Sequence, residues 1–206
     1  MKEYEYERLI DGQLSTNKYR YPDEKRDIIC STVLLIGQGL RVLIDPGWRE
    51  ELLMARLKEA DVEPEDIDIV YVTHLHPDHY RNIRFFPGAR WLASQRELSN
   101  WKGRIPAVDE DIFAQLAPAE AEIAPGLQIV QTPGHTLGHT SVLFRHAGSG
   151  GRVLVAADAV LAKEYYAYGE VHPISEDQEA AKRTIDEVKR LAPDVIIPGH
   201  DAPFAG

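Results

Sequence analysis

Apolar runs separated by short polar or glycine-containing segments recur along most of the chain, and they predict its strands. Residues 4–11 alternate weakly between polar and apolar positions and predict a first strand. The runs at 28–37 and 40–45 predict two strands that meet at the Gly-Gln-Gly sequence 37–39, a pattern typical of a β-hairpin. The remaining strands are predicted at 66–74, 90–94, 121–132 (a hairpin turning at Pro125-Gly126), 140–146, 151–158 and 194–200.

Two helices are predicted in the first half of the chain, at residues 48–60 and 95–101. The first of them carries an apolar stripe made of Leu53, Leu57 and Ala60. Residues 102–118 have no clear periodicity and are predicted to form a loop.

The clearest helix lies near the end of the chain. Ser175, with Gln178 three residues later, forms a capping-box pattern that predicts its start, and Pro193 predicts its end. Its apolar face consists of Ala181, Ile185, Val188 and Ala192.

The order of these elements predicts the fold class. Strands fall into two batches, with helices between and after them, which favours two packed sheets with outer helices over a doubly wound parallel sheet. No linker-like segment divides the chain, so residues 1–206 are predicted to form one domain.

Composition narrows the classes of protein that fit. The 206 residues include 44% hydrophobic and 27% charged residues, an ordinary globular mix, and the net charge of −10 disfavours nucleic acid as a partner. No apolar run approaches the ~20 residues of a membrane span, and the charged start is unlike a secretory signal. The one cysteine, Cys30, lies in an apolar run and is expected to be a buried thiol, in agreement with a cytoplasmic location.

Histidine or aspartate follows the end of a predicted strand at five points, where loops usually present reactive groups. These residues are Asp45, the cluster His74, His76, Asp78 and His79, then His135, Asp158 and His200. Imidazole and carboxylate together suit zinc, iron or manganese. Single residues of this kind are more often turn or strand-end residues, whereas three histidines and an aspartate within six positions are far more specific. Pro77 is expected to keep the cluster irregular, and Asp158 is a natural bridge between two ions about 3.5–4 Å apart.

The motifs together resemble those of the metallo-β-lactamase superfamily. They are LIDPG at 43–47, THLHPDH at 73–79, TPGHTLGHT at 132–140, VAAD at 155–158 and PGH at 198–200, and the resemblance covers about residues 32–204. It implies an α+β fold, a four-layer αββα sandwich of two mixed β-sheets with outer helices and a metal site along one edge.

By position, the resemblance implies a role for each candidate residue. His74, His76 and His135 would hold one metal ion, Asp78, His79 and His200 a second, and Asp158 would bridge them. Asp45 and His139 would support the ligands from behind. Two residues depart from family patterns: Arg81 stands where glycine is frequent, and Leu161 stands where acyl-homoserine lactonases carry tyrosine. Arg81 is expected either to be tolerated by the loop or to reach an anionic substrate.

The implied function is a metal-dependent hydrolase in which a hydroxide held by two metal ions attacks a small ester, lactone or thioester. Zinc is the first choice of metal, with iron or manganese as alternatives, and Asp78 is the candidate catalytic proton shuttle. A persulfide-dioxygenase-like oxidoreductase with one iron is an alternative, as is a phosphodiesterase or nuclease, which the charge disfavours.

Substrate recognition is less defined by the sequence. Tyr165, Tyr166 and Tyr168, in a predicted rim loop at 161–173, are candidates for binding a small-molecule substrate, with packing against the body as an equal alternative. His146 and His172 are predicted to be surface histidines. No membrane partner is expected, and the oligomeric state, a dimer included, stays open.

Overall fold

The computed structural model describes residues 2–206, and two six-stranded sheets form the centre of this part of the chain. The first sheet follows the chain order from β1 to β6. The pairs β1–β2 and β2–β3 are antiparallel, whereas β3, β4, β5 and β6 run parallel to one another. These strands are β1 (Glu5–Ile10), β2 (Thr32–Gly37), β3 (Leu40–Ile44), β4 (Ile69–Val72), β5 (Arg90–Ser94) and β6 (Ala117–Ala119).

The second sheet holds the six strands of the second half, in the spatial order β12-β11-β10-β9-β8-β7. Only β10 and β11 are parallel, because a helix connects them, and the other pairs are antiparallel. These strands are β7 (Glu122–Ala124), β8 (Leu127–Gln131), β9 (Thr140–Arg145), β10 (Arg152–Ala157), β11 (Val195–Pro198) and β12 (Phe204–Ala205).

Six α-helices lie around the sheets in residues 2–206: α1 (Glu50–Glu59), α2 (Pro77–Tyr80), α3 (Gln95–Trp101), α4 (Glu110–Gln115), α5 (Lys163–Tyr168) and α6 (Gln178–Leu191). In this part of the chain, none of the helices is both long and apolar enough to cross a bilayer.

Successive side chains of the central strands are buried on opposite faces of each sheet and form three apolar layers. Val33 and Ile44 of the first sheet meet Val142 and Val155 of the second in the layer between the sheets. The opposite face of the first sheet packs against α1 through Leu53 and Leu57, and α6 covers the second sheet through Val188. Burial of each large aliphatic side chain contributes about 1.5–3 kcal/mol, so these layers hold both sheets and helices in place. The prediction of an αββα sandwich is confirmed.

The structure corrects four local predictions. Residues 102–118 are not a loop throughout, since they contain a 3-10 turn at Ala107–Asp109, α4 and the start of β6. The segment 161–173 contains the short helix α5. Pro77 does not keep its segment irregular but stands at the first position of α2. Proline fits there because the backbone N–H at that position has no partner within the helix.

The fourth correction concerns the start of α6. Its N-cap is Asp177 rather than Ser175, and the Asp177 side chain accepts a hydrogen bond from the Ala180 backbone N–H. Gln178 instead donates to the carbonyl oxygen of Pro173 at 3.1 Å.

Candidate metal centre

The ends of two parallel strand pairs meet at one edge of the sandwich. β3 ends before Asp45 and its parallel neighbour β4 ends before the segment 73–79, so both loops leave the first sheet on the same side. In the second sheet, β10 and β11 end before Asp158 and His200 in the same way. The backbone N–H of Thr140 donates to the carbonyl oxygen of Thr73 and joins the two sheets beside this edge.

Four side chains converge there into a first group, whose ligand atoms all lie within 4.8 Å of one another. Its members are His74, His76, His135 and Asp158. Nε2 of His135 lies 2.9 Å from Nδ1 of His76 and 3.0 Å from Oδ2 of Asp158. This donor set matches the ligands that the sequence predicts for a first ion.

A second group lies on the other side of Asp158 and consists of Asp78, His79 and His200. Oδ2 of Asp78 is 3.9 Å from Nε2 of His79 and 3.7 Å from Nε2 of His200. The structure therefore brings together all seven residues that the sequence predicts as ligands, from both sheets and from segments far apart in the chain.

Asp158 divides its two oxygens between the groups. Oδ2 faces the first group, as its distance to His135 shows, whereas Oδ1 lies 3.3 Å from Nε2 of both His79 and His200. The carboxylate is buried, with 6% of the residue exposed, so few water molecules compete for it. One oxygen toward each group is the geometry that a bridging ligand requires.

Hydrogen bonds that Nδ1 donates orient the histidines of the second group. Nδ1 of His200 donates to the carbonyl oxygen of Ile29 at 2.8 Å, and Nδ1 of His79 lies 3.0 Å from Oδ2 of Asp45. When Nδ1 carries the proton, Nε2 keeps its lone pair, which is the tautomer that a metal ligand needs.

Asp45 also holds the segment that carries His74. Its Oδ1 accepts from the backbone N–H of Thr73 at 2.8 Å, and its Oδ2 accepts from the Thr73 hydroxyl at 2.7 Å. Asp45 has a φ of 50°, a strained left-handed conformation that such contacts must stabilise. His139 lies behind His74 with ring centroids 5.0 Å apart, and its Nδ1 is 2.8 Å from the hydroxyl of Thr132. Both residues thus have the supporting positions that the resemblance implies.

Close backbone approach explains a glycine of the second PGH motif. A Cβ at Gly199 would come within 1.9 Å of Oδ1 of Asp158, so a larger residue would displace the central carboxylate. Ala157, directly before Asp158, has a φ of 46°, and this strain turns the chain so that Asp158 points between the two groups.

Burial and neighbouring charges set the protonation of the cluster. Burial, with the nearby His79, lowers the pKa of His74, and burial, with His135, lowers the pKa of His76 to about 4. Both are therefore neutral near pH 7, as ligation requires. Burial also opposes the charge on Asp158, but His200 and His79 outweigh it and lower its pKa, so the carboxylate is ionised.

Several buried polar atoms at the centre have no hydrogen-bond partner in residues 2–206. They are Nε2 of His79, Nδ1 of His135, Nε2 of His139 and Oδ1 of Asp158. Buried polar groups are normally paired, since an unpaired one costs about 1–3 kcal/mol. Two of these atoms, Nε2 of His79 and Oδ1 of Asp158, lie 3.3 Å from each other. Divalent cations held by the two groups would satisfy these two atoms, so the residues present fit divalent metal ions.

A cleft of about 280 Å³ opens above the two groups. Members of the two candidate ligand groups form its floor, and aliphatic side chains form its walls. The wall residues are Leu14, Ile28, Leu161 and Ile174. Among residues 2–206, the lining includes neither lysine nor arginine.

His172 was predicted to be a surface histidine. In the structure it is half-buried and borders this cleft. Its Nδ1 accepts a hydrogen bond from the backbone N–H of Ile174 at 3.3 Å, which leaves the ring proton on Nε2. No motif surrounds His172 in the sequence, and only the fold brings it beside His135 and Asp158.

The three tyrosines proposed for substrate binding lie around the cleft rather than in its lining. Tyr165 borders a small neighbouring cavity together with His135 and Asp158, and its ring packs edge-on against Tyr19. Tyr166 packs on Phe204, and Tyr168 is 66% exposed beside Tyr19. Their role in binding substrate stays a prediction.

Arg81 points away from the candidate centre. Its Nε and Nη2 donate to Oδ2 of Asp109 at 3.1 and 2.9 Å, and Oδ2 also accepts from the Tyr80 hydroxyl. Arg84 donates to the other oxygen of the same buried carboxylate at 3.1 Å. Arg81 is therefore accommodated by an ion-pair network that fastens the end of the His-rich segment to the turn before α4.

Replacement of Asp109 by alanine is expected to lower the free energy of unfolding by about 2 kcal/mol. The change leaves the Tyr80 hydroxyl and two guanidinium groups without their acceptor, but both arginines are partly exposed, so water recovers part of the loss. Urea unfolding measures the effect, with the exposed Asp111→Ala as control. Equal stability of the two variants would contradict a structural role for Asp109.

Comparison with known proteins agrees with this geometry. The model of the metallo-beta-lactamase superfamily matches residues 26–200. A Xenopus laevis protein called metallo-beta-lactamase domain-containing protein 1 is 36% identical over 176 residues, which are 84% of this chain and 71% of that protein. The chain covers less of the mouse and human proteins of that name, 60% and 59%.

Lactonases are also similar. An N-acyl homoserine lactonase of Bacillus thuringiensis is 32% identical over 160 residues, or 74% of this chain and 63% of that protein. The crystal structure of a B. thuringiensis AiiA variant with N-decanoyl-L-homoserine bound superposes with a TM-score of 0.76 at 22% identity and covers 97% of this chain and 93% of that one. At that identity, the likeness supports the fold alone.

Proposed function

The chain belongs to the metallo-β-lactamase superfamily, and from this membership we propose that it hydrolyses a small ester, lactone or thioester with two divalent metal ions, zinc in the first place. The observation that carries the proposal is Asp158, whose two oxygens face two separate sets of donors. A centre for one ion would not need the second set.

The ligand residues would divide as the resemblance implies. His74, His76 and His135 would hold one ion with Oδ2 of Asp158, and the second group would hold the other with Oδ1. Bound divalent ions would supply a water of lowered pKa, about 7 in hydrolytic zinc sites, and a Lewis acid for the carbonyl oxygen.

Two side chains at the cleft are suited to assist the attacking water and the leaving group. Asp78 lies at the cleft floor and keeps 14% of its side chain exposed, so it would accept the proton of the attacking water. His172 presents its Nε2–H at the cleft and would donate a hydrogen bond to the leaving oxygen or sulfur.

The cleft favours an uncharged acyl substrate of modest size. Its aliphatic walls suit an apolar acyl group, and its volume suits a small molecule. A phosphodiester would lack the lysine or arginine that usually binds its charge. The similarity to N-acyl homoserine lactonases is in line with a lactone, although Leu161 replaces the tyrosine of those enzymes.

Two further proposals follow. Residues 1–206 would work as one domain, because both sheets contribute groups to the candidate centre. A cytoplasmic location agrees with Cys30, a buried free thiol.

Metal content per chain, measured together with turnover of a panel of esters, lactones, thioesters and phosphodiesters, tests the proposal. About two zinc ions per chain and turnover of a carbonyl substrate are expected. One iron per chain with oxygen uptake would contradict the hydrolase and indicate a dioxygenase. Turnover of the phosphodiester alone would contradict the proposed substrate class.

Replacement of His172 by phenylalanine is expected to lower kcat about 10²-fold, the lower range for one lost hydrogen-bond donor to a charge that develops in the transition state, with little change in KM or metal content. The phenyl ring keeps the apolar volume but has no proton to donate. His146→Phe is the matched control, because His146 pairs with Glu5 at 3.0 Å and does not line the cleft. Steady-state kinetics of both variants decide, and an unchanged kcat in His172→Phe would remove this residue from the mechanism.

A further inference from the structure

Glu97 is a fully buried carboxylate that the proposed mechanism does not use. It lies in α3, and 0% of the residue is exposed. In residues 2–206, it forms no ion pair with lysine, arginine or histidine, and burial raises its pKa. An ionisable group in such a place is costly, so its contacts must offset the loss of hydration.

The two oxygens of Glu97 reach two different loops of the candidate centre. Oε1 accepts a hydrogen bond from the backbone N–H of Leu75 at 2.9 Å, and Oε2 accepts from the Thr136 hydroxyl at 2.8 Å. Leu75 lies between His74 and His76, and Thr136 directly follows His135. One side chain therefore joins the backbones that carry all three histidines of the first group.

The loop after His135 also packs directly on the α3 backbone. A Cβ at Gly138 would lie only 2.3 Å from the backbone nitrogen of Glu97, and the Ser94 hydroxyl donates to the Gly138 carbonyl oxygen at 2.9 Å. The Ser94 hydroxyl in turn accepts from the Glu97 backbone N–H. The start of α3 is thus a rigid base from which the carboxylate reaches both loops.

We propose that Glu97 is a positioning residue that fixes the His74–His76 segment relative to His135 and so sets the affinity of the first metal group. The inference rests on the proposed metal centre and concerns only its first ion. The second group has no contact with Glu97, since the backbone carbonyl of Ile29 and the carboxylate of Asp45 orient its histidines.

Three substitutions separate the contacts of Glu97. Glu97→Ala removes both acceptors. Glu97→Gln can keep them, because its oxygen accepts from Leu75 and its amide donates to the Thr136 hydroxyl, whose role reverses. Thr136→Val removes only the contact of Oε2 and tests the link if the alanine variant fails to fold.

Stepwise titration of each metal-depleted variant with zinc against a chelator of known affinity measures the two binding steps, and the visible spectrum of the cobalt-substituted protein reports the ligand geometry. In Glu97→Ala, the affinity for the first ion is expected to fall 10- to 100-fold, the range for lost outer contacts, while the second changes less than about threefold. Glu97→Gln is expected to stay within about fivefold of the wild type, and Thr136→Val to fall between.

Val188→Ala serves as the control for a general loss of stability, because Val188 packs between α6 and the second sheet away from both loops. It is expected to unfold more easily but to bind both ions as the wild type does. Wild-type affinity in both Glu97→Ala and Thr136→Val, or an equal loss in Val188→Ala, would overturn the positioning role. If the wild-type protein itself bound no metal, the proposed function would fail instead.

Discussion

Replacement of Asp158 by alanine is expected to lower kcat/KM by at least about 10³-fold, or about 4 kcal/mol, and metal content from about two ions to one or fewer per chain. Asp158 is the only member of the candidate centre in residues 2–206 whose oxygens face both donor groups. Without it, each ion would lose its shared anionic ligand. Metal analysis and steady-state kinetics on the same preparation measure both effects.

Asp194→Ala provides the matched control. Asp194 is an exposed aspartate at the opposite end of β11 from His200, and its carboxylate accepts from the backbone N–H of Arg152. This variant is expected to keep its metal and its activity. An Asp158→Ala variant that holds two ions and turns over substrate at the wild-type rate would refute the bridging role.

Replacement of Asp45 by asparagine is expected to lower the affinity for the second ion 10- to 100-fold and to lower kcat/KM in proportion. Asparagine tolerates the left-handed backbone, so the turn should persist. Its amide cannot serve both Thr73 and His79 as the carboxylate does, because one end now donates. If the amide faces His79, Nδ1 must accept, the ring proton moves to Nε2, and the ligand is lost.

The ring nitrogens of His79 report this change directly, since nitrogen NMR distinguishes the two tautomers. Asp61→Asn is the control, because Asp61 also has a positive φ, 55°, but lies in an exposed turn after α1. A variant at Asp45 with wild-type affinity for two ions would show that the contact between Asp45 and His79 has no effect on binding.

The sequence predicts those parts of the fold that local patterns determine. Runs of buried β-branched residues mark β4 and β10, and the turn at Gln38-Gly39, where both residues have positive φ, marks the hairpin of β2 and β3. The sequence did not predict the short elements of 102–118. β6, for example, has only three residues, one of them Pro118, and it is a strand because it pairs with β5. Asp177 caps α6 because the loop before it is held by Gly134, a contact that no local pattern contains.

The candidate centre likewise contains residues that local sequence patterns predict and residues that they do not. Its seven donors stand out because histidine and aspartate follow apolar strands, and strand ends meet at one edge of a sheet. Glu97 does not stand out, because Ser94 and Glu97 have the spacing of a capping box and predict an ordinary helix start. Its side chain instead turns inward to Leu75 and Thr136, and His172 likewise reaches the cleft only through the course of the chain after α5.

Three of the four aliphatic wall residues of the cleft come from segments that supply none of the seven donors. Leu14 and Ile28 flank a loop before β2 and Ile174 follows α5, whereas Leu161 lies three residues after Asp158 in the same turn. Substrate preference can therefore diverge, in nature or by loop grafting in the laboratory, while the inorganic chemistry beneath stays untouched. A library confined to positions 14, 28 and 174 would explore new acyl groups while the segments that carry the seven donors stay unchanged.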